Sequence, residues 1–153
     1  MVRGAGGRGM SPGTDDDSPD TLEVRETVRR IVAAFGDGRM DEYFSLFHPD
    51  CSFVFYTTPD RLGSVAEYRD LWDRWVREDH FEVLSCRTSD TRVQMWGDAA
   101  VVTHTVQTQV QAGGEEATLH ERETIVLARR STGGWIAVHE HLSPIEVPGV
   151  GSA

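Results

Sequence analysis

The stretch GWIAVHEHLSP near the C-terminus places His139, Glu140 and His141 side by side. Two imidazoles at i and i+2 have the spacing of a zinc or iron pair, and a carboxyl serves as general acid or base where its surroundings move its pKa toward neutrality. In a strand, however, successive side chains alternate faces, so His139 and His141 share one face and Glu140 takes the other. The triplet is therefore two features. A metal needs a third or fourth ligand on the histidine face, but Glu146 lies beyond Pro144 and His120 falls across the sheet. No metal is expected. The preferred reading of the pair is hydrogen-bonded imidazoles beside Trp135 and Ser143, in a seam between two copies of the chain.

Glu140 belongs to a face with Ile136, Val138 and Leu142, a core-like set interrupted by one acid. The segment from Ala99 has a similar face, in which Val102, Val106, Thr108 and Val110 accompany a single titratable group, His104. Between them, Leu119, Glu121, Glu123, Ile125 and Leu127 alternate with His120, Arg122, Thr124, Val126 and Ala128. If AGGE is a hairpin pairing Ala112 with Glu115, His104 falls opposite Glu123. If STGG pairs Ser131 with Gly134, Glu140 falls opposite Ile125 and diagonal to Glu123, roughly 7 Å away. A slip of one residue would break this constellation. In register, His104, Glu123 and Glu140 share a face. Apolar surroundings raise a carboxyl's pKa and lower an imidazole's, unless Glu123 pairs with His104. The bland alternative for Glu140 is a buried carboxylate satisfied by a backbone amide, Arg or Tyr.

These strands follow helices. Leu22, Val24, Val28, Ile31, Val32 and Phe35 recur at three and four, predicting a helix capped by Asp20 or Thr21 and stopped at Gly36 or Gly38. Met40 to Phe47 reads as a second, short helix and CSFVFYT as a strand. Ser64 to Glu78 reads as a third helix, with Ser64 as cap and Tyr68, Leu71, Trp72 and Trp75 on one face. Phe81 to Trp96, Ala99 to Gln111, Ala117 to Arg129 and Trp135 to Ser143 read as strands joined by short glycine turns. Helices followed by an antiparallel meander predict an α+β class.

At 153 residues one domain is expected over 20–145, with a disordered tail at 1–19 and a second tail at 146–153. The net charge is −10, so neither nucleic acid nor an anionic membrane is an expected partner. The chain contains no Lys and no Asn, which excludes lysine Schiff-base chemistry and points to a GC-rich bacterial genome. Cys51 and Cys86 are too few for a disulfide framework, and a reducing cytoplasm is the expected location. No cofactor is expected.

The helices, the sheet and the final Gly134-Trp135-x-x-x-His139-x-His141-x-Ser143 pattern resemble the nuclear transport factor 2-like superfamily, in particular its SnoaL-like branch, from about Leu22 to Pro144. The resemblance implies a cone in which a curved antiparallel sheet wraps three N-terminal helices around an apolar pocket, with Glu140 facing the pocket and the outer sheet face making a homodimer. It implies pocket walls from Phe55, Tyr68, Trp72, Trp75, Val106, Glu121, Ile125 and Leu142. Tyr56 is then a phenolic donor at the mouth. Ketosteroid isomerases of that superfamily carry a catalytic Asp at the end of the first strand, where this chain has Phe55 and Tyr56. The calcium/calmodulin-dependent kinase II hub lines its pocket with arginines at positions matching Val106, Ile125 and Leu142, so that anion site is missing. The iota-class carbonic anhydrases share the last-strand pattern, but Glu140 and Leu142 replace a histidine and a serine, which makes that activity remote. Two readings stay open. One is a cofactor-free isomerase, cyclase, dehydratase or hydrolase of a small apolar metabolite, working through His104, Glu123, Glu140 and Tyr56. The other is a non-catalytic ligand-binding or association module.

Overall fold

The structure, a computed structural model, describes residues 17–148. The elements are α1 (Pro19–Gly36), α2 (Met40–Ser45), β1 (Phe47–Phe55), α3 (Val65–Asp79), β2 (Glu82–Trp96), β3 (Ala99–Ala112), β4 (Glu115–Arg129) and β5 (Trp135–Pro144). The five strands form one sheet in the order β1-β5-β4-β3-β2. Of the expected tails, residues 1–16 and 149–153 lie outside the described residues, and Pro19 already opens α1.

Of the stripe its periodicity predicts, helix α1 buries Val24, Val28 and Ile31, with Ala34 added to them, while Val32 and Phe35 are half-buried and Leu22 stays half exposed. Its cap is Ser18 and not Asp20 or Thr21. Ser18 Oγ accepts from the Thr21 amide at 3.3 Å, with Pro19 opening the helix. Asp20 is thereby free to bind Arg129, at 2.8 and 2.7 Å. In α3 the Ser64 hydroxyl accepts from the Glu67 amide while the Glu67 carboxylate accepts from the Gly63 amide at 2.7 Å, a reciprocal cap close to a capping box. Tyr68 and Trp72 are its buried residues.

Two architectural expectations are corrected. Phe47 opens β1 and does not close α2, so the strand expected from Cys51 begins four residues earlier, and α3 follows it outside any N-terminal block of helices. The sheet is mixed and not antiparallel throughout, because β1 runs parallel to β5, with Phe53 opposite Glu140 and Phe55 opposite Leu142. Helix α1 packs on β2 and α3 on β1, which closes one face of the sheet.

The long strands pair antiparallel. Gly113 and Gly114, at φ +58° and +83°, supply the two left-handed residues that a tight hairpin needs, and Ala112 faces Glu115. His104 consequently lies opposite Glu123. The last hairpin closes one residue differently from the expected pairing: Arg130 donates to the Gly134 carbonyl at 2.8 Å, and Arg129 faces Trp135. A β-bulge at Val138 takes that residue back, because Ala137 faces Leu127 whereas His139 faces Val126. Glu140 therefore still meets Ile125. The bulge also reverses the first half of the strand. Trp135 and Ala137 are buried on the helix side with Glu140, while His139, His141 and Ser143 remain together on the outer face.

The C-terminal turn of α1 presses on β2. A Cβ at Gly36 would lie 3.1 Å from the Cys86 amide nitrogen and 3.2 Å from its Cβ. Substituting Gly36→Val should therefore destabilise the fold by about 1–3 kcal/mol, read as a lower urea midpoint with an unchanged m-value.

Candidate functional site

The closed face of the sheet contains a cavity of about 570 Å³, within the usual range for small-molecule sites of roughly 300–1,000 Å³. Its walls are aromatic, from Phe35, Phe55, Tyr68, Trp72, Trp75 and Phe81. A smaller chamber of about 50 Å³ shares Phe35, Tyr68, Thr108, Glu121 and Leu142 with it and ends on Glu123 and Glu140. The two are successive parts of one site, with Glu121 at their junction. A wider groove of about 1,030 Å³ lies at the other end of the sheet, between Phe47, Val65, Arg129 and Ile136, and has no paired buried acids.

Strand register positions the acids. On β4, Glu121 and Glu123 are two residues apart and point inward; on β5, Glu140 points inward because of the bulge; on β3, His104 stands beside Glu123. All four are buried, with Glu140 only 3% exposed. His104 Nε2 and Glu123 Oε1 are 2.6 Å apart. Burial raises the Glu123 carboxyl, but hydrogen bonds from His104 and Glu140 and the attraction of the imidazole outweigh it and hold it below the ordinary 4.5. Glu140 moves the opposite way. Burial, then the Glu123 charge beside it, push its carboxyl well above 4.5, so it is the protonated partner of the pair and donates to Glu123. Glu140 Oε2 and His104 Nδ1 are the buried side-chain atoms without a hydrogen-bond partner among the described residues.

Two phenols adjoin the acids. The Tyr43 and Tyr68 hydroxyls are 3.0 Å apart, and burial, followed by the nearby Glu140, raises both well above 10. They remain O–H groups, available to a developing negative charge in the inner chamber. Burial pushes the Cys86 thiol up to about 11, which leaves it a weak nucleophile.

The expected site residues divide into groups. Phe55, Tyr68, Trp72, Trp75, Glu121 and Leu142 line the main cavity; Val106, Glu123 and Glu140 line the inner chamber. His104 lines neither and reaches the chamber through Glu123. Ile125 also lines neither: it is fully buried core opposite Glu140, a correction to its expected place in the wall. Tyr56, expected as a donor at the mouth, lines neither: it is 44% exposed and its hydroxyl is directed to Glu121. Tyr43, Phe35 and Thr108 are wall residues that the sequence reading missed. A signal existed for Tyr43, since a tyrosine on the buried side of a helix usually has a partner for its hydroxyl.

The histidine pair is elsewhere. His139 Nδ1 and Ser52 Oγ are 2.8 Å apart, and the two rings are 6.4 Å apart at 89°. Among the described residues no group of three or more His, Cys, Asp or Glu is placed to hold a metal ion. Trp135 is not their neighbour on the outer face, as expected, but lies beneath the Arg129 guanidinium at 4.8 Å with its indole N–H on Asp20.

Helices closed over a mixed sheet around an aromatic, acid-tipped cavity define the α+β class of nuclear transport factor 2-like folds. Within that class, residues 24–147 match the family model of the SnoaL-like domain, and the chain belongs to that family. Solved structures share the fold. An NTF2-like protein of unknown function in nutrient uptake from Rhodospirillum rubrum is 23% identical, covers 80% of this chain and 98% of its own, and superposes with a TM-score of 0.69. The CaMKII hub of S. rosetta is 23% identical over 85% of this chain and 99% of its own, with a TM-score of 0.68. A ketosteroid isomerase-like protein from Erwinia carotovora atroseptica is 15% identical over 85% and 99%, with a TM-score of 0.71. The curated proteins contain no match.

The raised Glu140 has a consequence for stability. Its folded pKa lies above its unfolded value near 4.5, so between the two the folded state holds the extra proton, and stability falls as pH rises through that window. Glu140→Gln removes this dependence. The variant should melt higher than wild type at pH 7–8, and the gain should vanish as pH is lowered toward 4.5, as followed by circular dichroism at a series of pH values.

Proposed function

We propose that the chain is a cofactor-free acid–base catalyst acting on a small, largely apolar metabolite held in the aromatic cavity. The observation that carries this reading is that Glu123 and Glu140 are buried together on the wall of the inner chamber, with Glu123 held by His104 at 2.6 Å and the two carboxyls shifted in opposite directions. Neighbouring carboxyls driven apart in this way are how one site holds a proton donor and a charged partner together.

Glu140 is the group that meets the substrate. It enters as the neutral acid, gives its proton to a substrate oxygen and, as the carboxylate, takes one from the adjoining carbon, which leaves Glu140 protonated again and the substrate as its enol. His104 stays on Glu123 as its hydrogen-bond partner throughout. Between the two transfers Glu123 and Glu140 are both charged and buried together, at a cost of several kcal/mol that favours return of a proton to Glu140. The Tyr43–Tyr68 hydroxyl pair supplies a donor for oxyanion character that builds on the substrate. Isomerisation, cyclisation, dehydration and hydrolysis each include such a step.

One measurement favours a second reading. The inner chamber, at about 50 Å³, has room for one or two waters, each taking about 30 Å³. A ligand confined to the outer cavity would meet Glu121 and not Glu140, and the chain would then bind without catalysing. The test is deuterium exchange. A ligand is recovered by native mass spectrometry from protein purified out of its own host, then incubated with the protein in D2O. The catalytic reading expects incorporation at an exchangeable carbon, reduced about 100-fold or more in Glu140→Gln with ligand affinity retained. Incorporation equal in both proteins, or none in either, leaves the binding reading.

The proposal includes a second copy of the chain on the outer sheet face. Its support is the patch of half-buried Val101, Thr124, Val126 and His139 beside the exposed His141, in which Val101 faces Val126, Val126 faces His139, and Thr124 faces His141. Light scattering should give twice the chain mass, and His141→Asp should shift it to the monomer.

A further inference from the structure

The charges around the cavity bear on the one property of the ligand still open, the nature of its polar end. Trp72, Trp75 and Phe81 form a continuous wall, with ring centroids 6.1, 5.3 and 5.9 Å apart and planes crossing at 63°, 88° and 59°. Rings so tilted present faces in different directions, as in an aromatic cage and unlike a parallel stack. Glu121 lies at the inner end of this cavity, and Glu78 and Asp79 lie at its rim. Among the lining residues only His80 can carry positive charge; no arginine lines the cavity, and the chain has no lysine. Deeper still, Glu140 is 3% exposed on the inner chamber wall, with Oε2 lacking a partner.

A carboxylate or phosphate ligand would meet acids at the rim, at Glu121 and at the inner end. A neutral ligand would gain apolar contact alone. An ammonium group gains the π-faces of the tryptophans and the charge of Glu121, and a protein of net charge −10 draws cations toward it. We infer that the metabolite bound here is a hydrophobic amine or quaternary ammonium, its nitrogen seated between the Trp72–Trp75–Phe81 wall and Glu121, its apolar body against Phe35 and Phe55. This rests on the small-metabolite reading above and specifies its chemical class. Glu121 suits the role: burial raises its carboxyl, the Tyr56 hydroxyl offsets only part of that rise, the Glu123 charge adds to it, and a bound cation would favour the charged form.

The test uses three probes with one aryl body: 4-phenylbutylamine, 4-phenyl-1-butanol and 4-phenylbutyrate, titrated into the full chain by isothermal calorimetry at pH 7.5. The amine, protonated at that pH, is expected to bind about tenfold or more tighter than the alcohol, with the carboxylate weakest. Glu121→Gln should remove most of that preference, and Trp75→Leu, which keeps an apolar wall but deletes the π-face, should weaken the amine more than the alcohol. Circular dichroism confirms that both variants are folded. Equal affinities for amine and alcohol, tighter binding of the carboxylate, or no heat with any probe overturns the inference. Calorimetry needs no turnover, so the two readings fail separately. A protein that prefers the amine yet exchanges no deuterium loses only the catalytic reading, and one that exchanges deuterium yet binds amine and alcohol alike loses only this one.

Discussion

A carboxylate among aromatic rings persists only where its charge is met, and in this molecule the meeting point is the 2.6 Å contact between His104 and Glu123. The imidazole is fully buried and the carboxylate nearly so, so neither finds water. With Glu123 held charged, Glu140 beside it keeps its proton, because two ionised carboxyls in one apolar site repel at close range with little screening. Burial first, with the nearby acids adding to it, sets the state of the other groups at the inner end. Tyr43 and Tyr68 stay protonated, Cys86 stays a thiol, and the small chamber presents donors where a sheet normally presents methyl groups.

The rest of the fold makes that contact tolerable. Three strands contribute one or two polar residues each to the inner face, and their neighbours on that face, Val102, Ile125, Leu127 and Ala137, are wholly buried. Helix α1 covers β2, α3 covers β1, and α3 brings Tyr68, Trp72 and Trp75 over the acids. The tyrosine pair joins α2 to α3 through a buried hydrogen bond and through edge contacts with Phe44, Phe47 and Phe53. Such packing is rigid. It also leaves Glu140 Oε2 and His104 Nδ1 without partners, a cost that a purely structural core would shed by substituting leucine or valine. Strain of this kind concentrates at sites that bind or react.

Much of this was legible from local pattern. The periodicity of Val24, Val28 and Ile31, the Ser64 cap and the paired glycines at 113 and 114 each report a property of neighbouring residues, and each element formed where that pattern lay. The AGGE hairpin alone determines that His104 faces Glu123, since a two-residue turn leaves no freedom in register. Glu140 was placed correctly by two departures that cancel: the last hairpin closes on Arg130 and Gly134, and the bulge at Val138 restores the phase. Trp135, which precedes the bulge, was assigned the wrong face for the same reason.

The sequence by itself thus determined the element types, the inward acids of β4 and the helical aromatic face, because these depend on residues within a few positions of one another. Only the tertiary structure decided the rest. The parallel pairing of β1 with β5 joins segments more than 80 residues apart, and no local period encodes it. Tyr43 and Tyr68 meet across two helices, Asp20 leaves its expected cap to hold Arg129 and Trp135, and Ile125 is sealed beneath Glu140 instead of lining the wall. Each of these is settled by which surfaces exclude water together, and that is a property of the packed molecule that no window of sequence contains.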